Sequence, residues 1–407
     1  MATEEYLARI DSLLKIKGGL LSQLQKDGKF PPMRLYVKSL ASGQTVMLDK
    51  FLSYNFSNSM LVPVDTFSFT FSAPDNVQPF NEVVKDGDIA LLEANGITIS
   101  VGIIDRTEIS TETEGGEMIS VSGRNLLGQF DDQDMVSVYD TPIWGDKMTV
   151  DQAVRRLCEN TRIQPFGVQK QDCPTKPYLF ATEPGESKMA AFQRYCEPLN
   201  ILFWMGPDGR LVVGRPNFAQ GIQGRVVLSK GQRTSNVIAM TVTRGSTQIA
   251  NVVVPIWTGQ ETTTEKTKPS QRAYNAAEGP TRLRKHQHLV PKTVVVSTPQ
   301  GGGIQDLAEA NKLMAYGGNI LQWHAKREIA RQNVNEMQVQ SVAAGHYNEK
   351  GAPYIIDTVY RIDYDRGSVD ENMYLYAANY YLDEGRGQRT TLYFCRLNTI
   401  VSDSRAP

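Results

Sequence analysis

The side chains able to do chemistry are few and scattered. The chain has 407 residues with only four histidines and four cysteines. His286 and His288 flank Gln287 and share one side of an extended strand, a spacing that suits two metal ligands. No Cys, Asp or Glu follows them at ligand spacing. His324 stands beside Trp323 in a helical stretch, and His346 precedes Tyr347-Asn-Glu-Lys-Gly, which reads as a turn. Cys158, Cys173, Cys196 and Cys395 form no CxxC pair, so their expected role is packing. Gly301-Gly-Gly303 resembles an anion cradle but lacks GxxxxGK[ST] and GxGxxG, and neither GxSxG nor HExxH occurs. Adjacent Asp131 and Asp132 point to opposite faces of a strand, whereas Asp363 and Asp365 share one face and read as a solvated acidic edge. Thr281-Arg-Leu-Arg-Lys-His is a basic island without interleaved aromatics, better suited to an acidic protein partner than to nucleic acid. Catalytic residues, metal ligands and cofactor-binding residues are therefore expected to be absent.

Composition narrows the classes further. Forty-three Lys and Arg oppose 44 Asp and Glu, for a formal net charge of -1, which argues against a globally basic nucleic-acid binder. With 41% hydrophobic and 21% charged residues the chain is globular, and its length predicts two to four domains. No apolar run approaches the roughly 20 residues that span a bilayer, so no membrane insertion is expected. Met1-Ala-Thr-Glu-Glu lacks a basic-then-apolar signal pattern, and synthesis as a soluble cytosolic product is expected.

The elements that must position these side chains follow from periodicity. Residues 4–26 carry Leu7, Ile10, Leu14, Leu21 and Leu24 as a heptad-like stripe, which suits either a helix lying on the protein's own body or a candidate docking surface for a neighbouring subunit, and Phe30-Pro-Pro ends the helix. Residues 31–145 read as short alternating strands, Thr66-Phe-Ser-Phe-Thr-Phe the clearest, separated by turns such as Asn95-Gly96; six or so of them make a small barrel or sandwich. Residues 146–218 read as an α+β module. It has a helix capped by Thr149 with Val150, Val154 and Leu157 on one face, and a second with Met189, Phe192, Tyr195 and Cys196 inward. A hairpin turns at Pro207-Asp-Gly-Arg. Strands resume over 219–402, interrupted by a long excursion at 258–303, polar over 258–287, and by a helix over 306–331. The layout repeats coarsely, yet no repeat is visible residue by residue.

One segment is more specific. Glu117-Met-Ile-Ser-Val-Ser-Gly-Arg-Asn-Leu-Leu-Gly-Gln-Phe-Asp-Asp-Gln-Asp resembles a signature of phage tail hub proteins, in which a strand ends at Ser122-Gly123-Arg124 and runs into a short helical segment closing with acidic residues such as Asp131. Gly123 suits a tight exit from the strand, and Arg124 can anchor the turn to a carbonyl or carboxylate. The order that follows, from the Val150–Asn160 helix through the helix–hairpin to Gly214, is similar to the hub protein of Mu-like contractile tails. The resemblance implies a mainly β fold with α+β insertions: two tail-tube-like β-barrel domains, a small α+β module and, outside the family core, the N-terminal helix. It further implies a homotrimeric, non-enzymatic virion component of the tail baseplate, assembled in the host cytoplasm. Such a hub joins the hexameric tail tube to a trimeric central spike, with baseplate wedge proteins as further partners. It needs no cofactor and no small-molecule substrate, and nucleic acid passes it at most in transit through a central channel. Another tube-like component of a contractile injection machine and a tail-associated cell-wall hydrolase are the alternatives.

Overall fold

The computed structural model describes residues 33–400 apart from 73–83, 113–115, 136–145, 165, 181, 183–184, 230–234, 246–251, 258–272, 275–291, 297–336, 384 and 386. The expected N-terminal helix with its leucine stripe, the basic island, the Gly301–Gly303 joint, the 306–331 helix, and His286, His288 and His324 lie outside the described residues.

The chain opens with β1 (Arg34–Lys38), β2 (Thr45–Leu48), β3 (Ser53–Ser59), β4 (Thr66–Ser72), β5 (Ile89–Ala94), β6 (Ile97–Glu112) and β7 (Gly116–Asn125). A one-turn helix, α1 (Gly128–Asp132), leads to β8 (Asp146–Met148), α2 (Val150–Cys158), β9 (Val168–Gln171), β10 (Tyr178–Phe180), α3 (Lys188–Leu199), β11 (Leu202–Met205) and β12 (Leu211–Gly214). The second β unit begins with β13 (Ile222–Leu228) and β14 (Val237–Arg244). After β15 (Val252–Trp257), β16 (Ala273–Tyr274) and β17 (Lys292–Val296), it continues with β18 (Met337–Ala344), β19 (Thr358–Tyr364), β20 (Val369–Asp383) and β21 (Gly387–Arg396). The molecule is mainly β, with the α+β elements between its two β units.

Local chemistry explains these elements. In β4, Phe67, Phe69 and Phe71 are buried while Thr66 and Ser68 face out, the period-two pattern of a half-buried strand. Asn95 and Gly96, both at positive φ, close the β5–β6 hairpin as a two-residue turn. Thr149 and Gln152 form a reciprocal capping box on α2, whose buried face is Val150, Ala153, Val154, Leu157 and Cys158. Ser187 caps α3, and Asn200 ends it in the left-handed conformation.

Both β units share one 13-stranded sheet, ordered β14-β18-β21-β20-β3-β4-β7-β6-β5-β1-β2, with β19 branching from β20 and β13 from β19. The join is an antiparallel ladder between β3 and β20, from Ser59 opposite Ala377 to Tyr54 opposite Leu382. β15 departs from the expected continuation of this region: it pairs with β16 and β17 in a three-stranded sheet of its own. One hydrophobic core runs through both β units, and a second joins α1, α2 and α3 to the far face of β5 and β6. The β11–β12 hairpin lies between them. Leu202, Trp204 and Val212 enter the first core, while Phe203, Met205, Leu211 and Val213 enter the second. A strand buried on both faces reads as a continuous apolar run, as Leu202-Phe-Trp-Met does.

Candidate functional site: the strand seam and the signature segment

The signature segment lies where β7 leaves the sheet for α1. Ser122 pairs with Ser68 on β4 and Arg106 on β6. Gly123 also lies within the ladder, two residues before the strand ends, and its φ is not positive. Crowding, rather than a turn, reserves it for glycine: a Cβ there would strike the Ile103 carbonyl and come 2.5 Å from the Phe67 ring. Gly102 across the ladder is restricted in the same way, its Cβ falling 2.8 Å from Phe67 and against the Arg124 carbonyl. The Phe67 ring thus sits against two glycines on adjacent strands.

Arg124 forks between two carboxylates. Its Nε and Nη2 donate to Asp105 at 2.7 and 3.1 Å, and Nη1 and Nη2 to Asp132 at 3.1 and 2.8 Å. Asp105 is the extra residue of a β-bulge in β6, so the bulge turns its side chain toward the arginine. These hydrogen bonds hold the guanidinium pKa further above its ordinary value. Asp131 is not part of this clamp; the neighbouring Asp132 is. Next to it, Asn125 donates to the Pro63 carbonyl and to Asp65, each at 2.9 Å, and ties the β3–β4 loop to the end of β7. Asp65 is 4% exposed and also receives Asn58 Nδ2 and the Ser59 N–H, yet burial outweighs these donors and pushes its pKa up to about 8.

The seam carries its own polar chain. Tyr54 on β3 meets His346 Nε2, and His346 Nδ1 lies 2.8 Å from Thr390 Oγ1, whose hydroxyl donates to the Gly345 carbonyl. Because that hydroxyl proton is spent on Gly345, Nδ1–H donates to Thr390, and in the neutral ring Nε2 is then the acceptor for the Tyr54 hydroxyl. Burial lowers its pKa to about 4, which keeps His346 neutral near pH 7. Phe56 stacks on Tyr380 across the same ladder, with centroids 5.5 Å apart. The turn reading for His346 places it correctly in the bend after β18 but gives no sign that the ring is buried at an inter-unit joint. Asp357 performs a similar tie at positive φ: its carboxylate accepts from Tyr374, the Asn217 N–H and Gln171, linking the α+β elements to β20.

A cleft of about 290 Å³ opens where the three parts meet, walled by Phe56, Trp204, Tyr354 and Tyr380 with Asp357 and Asp208 at its margin. Both carboxylates are engaged, Asp357 as above and Asp208 with Arg210. Asp363 pairs with Arg225 at 3.2 Å. Among the described residues no group of three or more His, Cys, Asp or Glu side chains converges as a metal site. What the arrangement does instead is join strands edge to edge. Among the described residues this sheet has open edges at the second half of β6, paired only with β7, at β14, paired only with β18, at β2, paired only with β1, and at β13, paired only with β19.

No protein-family model matches the sequence. No curated protein matches it either. Solved structures do match the fold. A tail protein from Neisseria meningitidis MC58 superposes with a TM-score of 0.69 at 20% identity, covering 92% of this chain and 100% of that one. The 43 kDa tail protein of prophage MuSo2 from Shewanella oneidensis gives 0.67 at 15% identity, with the same coverage. An E. coli component of the type VI secretion system, described as similar to the bacteriophage T4 tail proteins gp27 and gp5, gives 0.51 at 9% identity over 89% of this chain and 76% of that one. The fold is that of phage tail proteins.

Proposed function

We propose that this chain is a structural, non-enzymatic virion component: the trimeric hub of a contractile-tail baseplate, which joins a hexameric tail tube to a trimeric spike. The observation that carries this reading is the seam: two β units in one chain are joined edge to edge through β3 and β20. A chain that contributes two tube-like units can match a sixfold ring with three copies, and a ring of this kind works through complementary edges rather than a pocket. The tail-protein fold supports the reading across nearly the whole chain. The expected domain bounds, 31–145, 146–218 and 219–402, are part of this proposal. Baseplate wedge proteins complete the partner set, and the leucine stripe at Leu7 to Leu24 is the surface proposed to meet one of them or the tube.

Light scattering of the purified chain should give three times 45.3 kDa. A monomer would remove the hub, and peptidoglycan clearing by the pure protein would favour a tail-borne hydrolase instead. The likeness to a type VI secretion component favours one second reading, a tube-like part of another contractile injection machine. Electron microscopy of particles assembled with or without the chain separates the two.

A further inference from the structure

Five strands of the first β unit, β3 to β7, recur in the second as β14, β18, β19, β20 and β21, and the repeat shows which edge each copy offers to the next. In the first unit, β6 pairs with β5 as far as Ile103, bulges at Asp105, and pairs with β7 on both sides of the bulge. In the second, β20 pairs with β19 as far as Leu375, bulges at Tyr376, and pairs with β21 on both sides. Superimposing the bulges carries Gly123 onto Phe394 and Ser122 onto Tyr393. One strand further, Phe67 falls on Val339 and Ser68 on Gln340. Burial then agrees along the strand: Phe67, Phe69 and Phe71 are buried where Val339, Ser341 and Ala343 are, and Ser68 is exposed where Gln340 is. The next ladder carries Phe56 onto Val242 and Tyr54 onto Met240, so β14 is the counterpart of β3.

The five counterparts differ in what lies beyond the bulge. Beyond its bulge β20 is covered by β3, and Ala378 and Tyr380 are buried. Beyond its bulge β6 has only β7 among the described residues, and Ile109, the counterpart of Tyr380, is 37% exposed. β14 likewise pairs only with β18 among the described residues, although Arg244 donates to the Gly367 carbonyl in the β19–β20 turn. Its Val242 is only half-buried where Phe56 is fully buried, and Ile238 is 49% exposed.

We propose that β14 of one copy pairs antiparallel with the second half of β6, Arg106–Glu112, of the next copy, repeating the β3–β20 seam between chains. This rests on the hub reading and names its self-contact. The transferred register sets Ile109 opposite Val242, Thr107 opposite Arg244 and Thr111 opposite Met240. The contact joins two different surfaces, so it propagates head to tail, and with the threefold rotation of the hub reading it closes into a ring. With three copies, six seams alternate within and between chains. Strand addition also removes two open edges that would otherwise invite aggregation.

The test is the full chain carrying Ile109→Cys together with Val242→Cys, bridged with a short bis-maleimide. Native Cys158, Cys196 and Cys395 are buried and Cys173 is half-buried, so the wild-type chain serves as the background control. Covalent dimers and trimers should exceed those of either single variant at least tenfold, and Ile109→Cys with Ile238→Cys, out of register, should not match them. In parallel, Ile109→Lys should keep the wild-type circular dichroism spectrum and a cooperative melt, while the solution mass falls from three chains to one. A wild-type trimer that yields no in-register crosslink, or a folded I109K that stays trimeric, overturns the seam and leaves the hub reading standing. A monomeric wild type overturns both.

Discussion

His346 is held without charge because burial at the seam, where the residue is 2% exposed, disfavours the imidazolium. An imidazole in an unfolded chain titrates near 6.5, whereas burial brings this one to about 4. Between those values the unfolded chain binds a proton that the fold does not. The contribution of His346 is therefore complete above about pH 6.5 and is lost as pH falls toward 4. Asp65 has the opposite sign: burial raises it to about 8, so its contribution is complete below about pH 4 and is lost as pH rises through 8. The variant His346→Gln isolates the first effect. In denaturant titrations the advantage of wild type over H346Q should shrink by about 3 kcal/mol between pH 6.5 and pH 4. A pH-independent difference would show that the ring titrates normally. None of this was legible in the sequence, where His346 reads only as part of a turn. Its partners come from residues 292 and 44 positions away.

At the scale of elements, alternation was readable and crowding was not. The spacing of Phe67, Phe69 and Phe71 announces β4 and its buried face, and Thr149 announces the start of α2. Gly123 is marked in the sequence as a glycine in a signature, but its reason lies on another strand: the Ile103 carbonyl and the Phe67 ring occupy the place of a side chain. Gly123→Ala should cost about 2 kcal/mol or more in thermal or chemical denaturation, the magnitude of overpacking in a rigid ladder. Gly221→Ala is the control, since a Cβ there meets open space, and it should change stability by no more than about 0.5 kcal/mol. Equal effects at the two sites would refute the crowding account. The Arg124 clamp likewise shows how far sequence goes: an arginine followed by Asp131 and Asp132 suggests a local ion pair, while the second carboxylate, Asp105, arrives through a bulge 19 residues earlier in the chain.

At the scale of the whole molecule, the leucine stripe of residues 4–26 is proposed to serve docking rather than the core of the chain. Removing residues 1–30 should leave the mass of the purified protein at three chains by light scattering while reducing incorporation into baseplates. Aggregation of the truncated chain would assign the stripe to the protein's own core instead. By itself the sequence determined the β-rich class, the position of the α+β elements and the absence of any recognisable catalytic motif, because periodicity, caps and turn residues act over a few neighbours. Only the tertiary structure decided that β20 reaches back to β3 across more than 300 residues, that one hairpin is buried on both faces, and that the two β units repeat register for register with almost no residues in common. Ladder hydrogen bonds are made by the backbone. The repeat is therefore written in pairing and burial, where Phe67 and Val339 are equivalent, and not in side-chain identity.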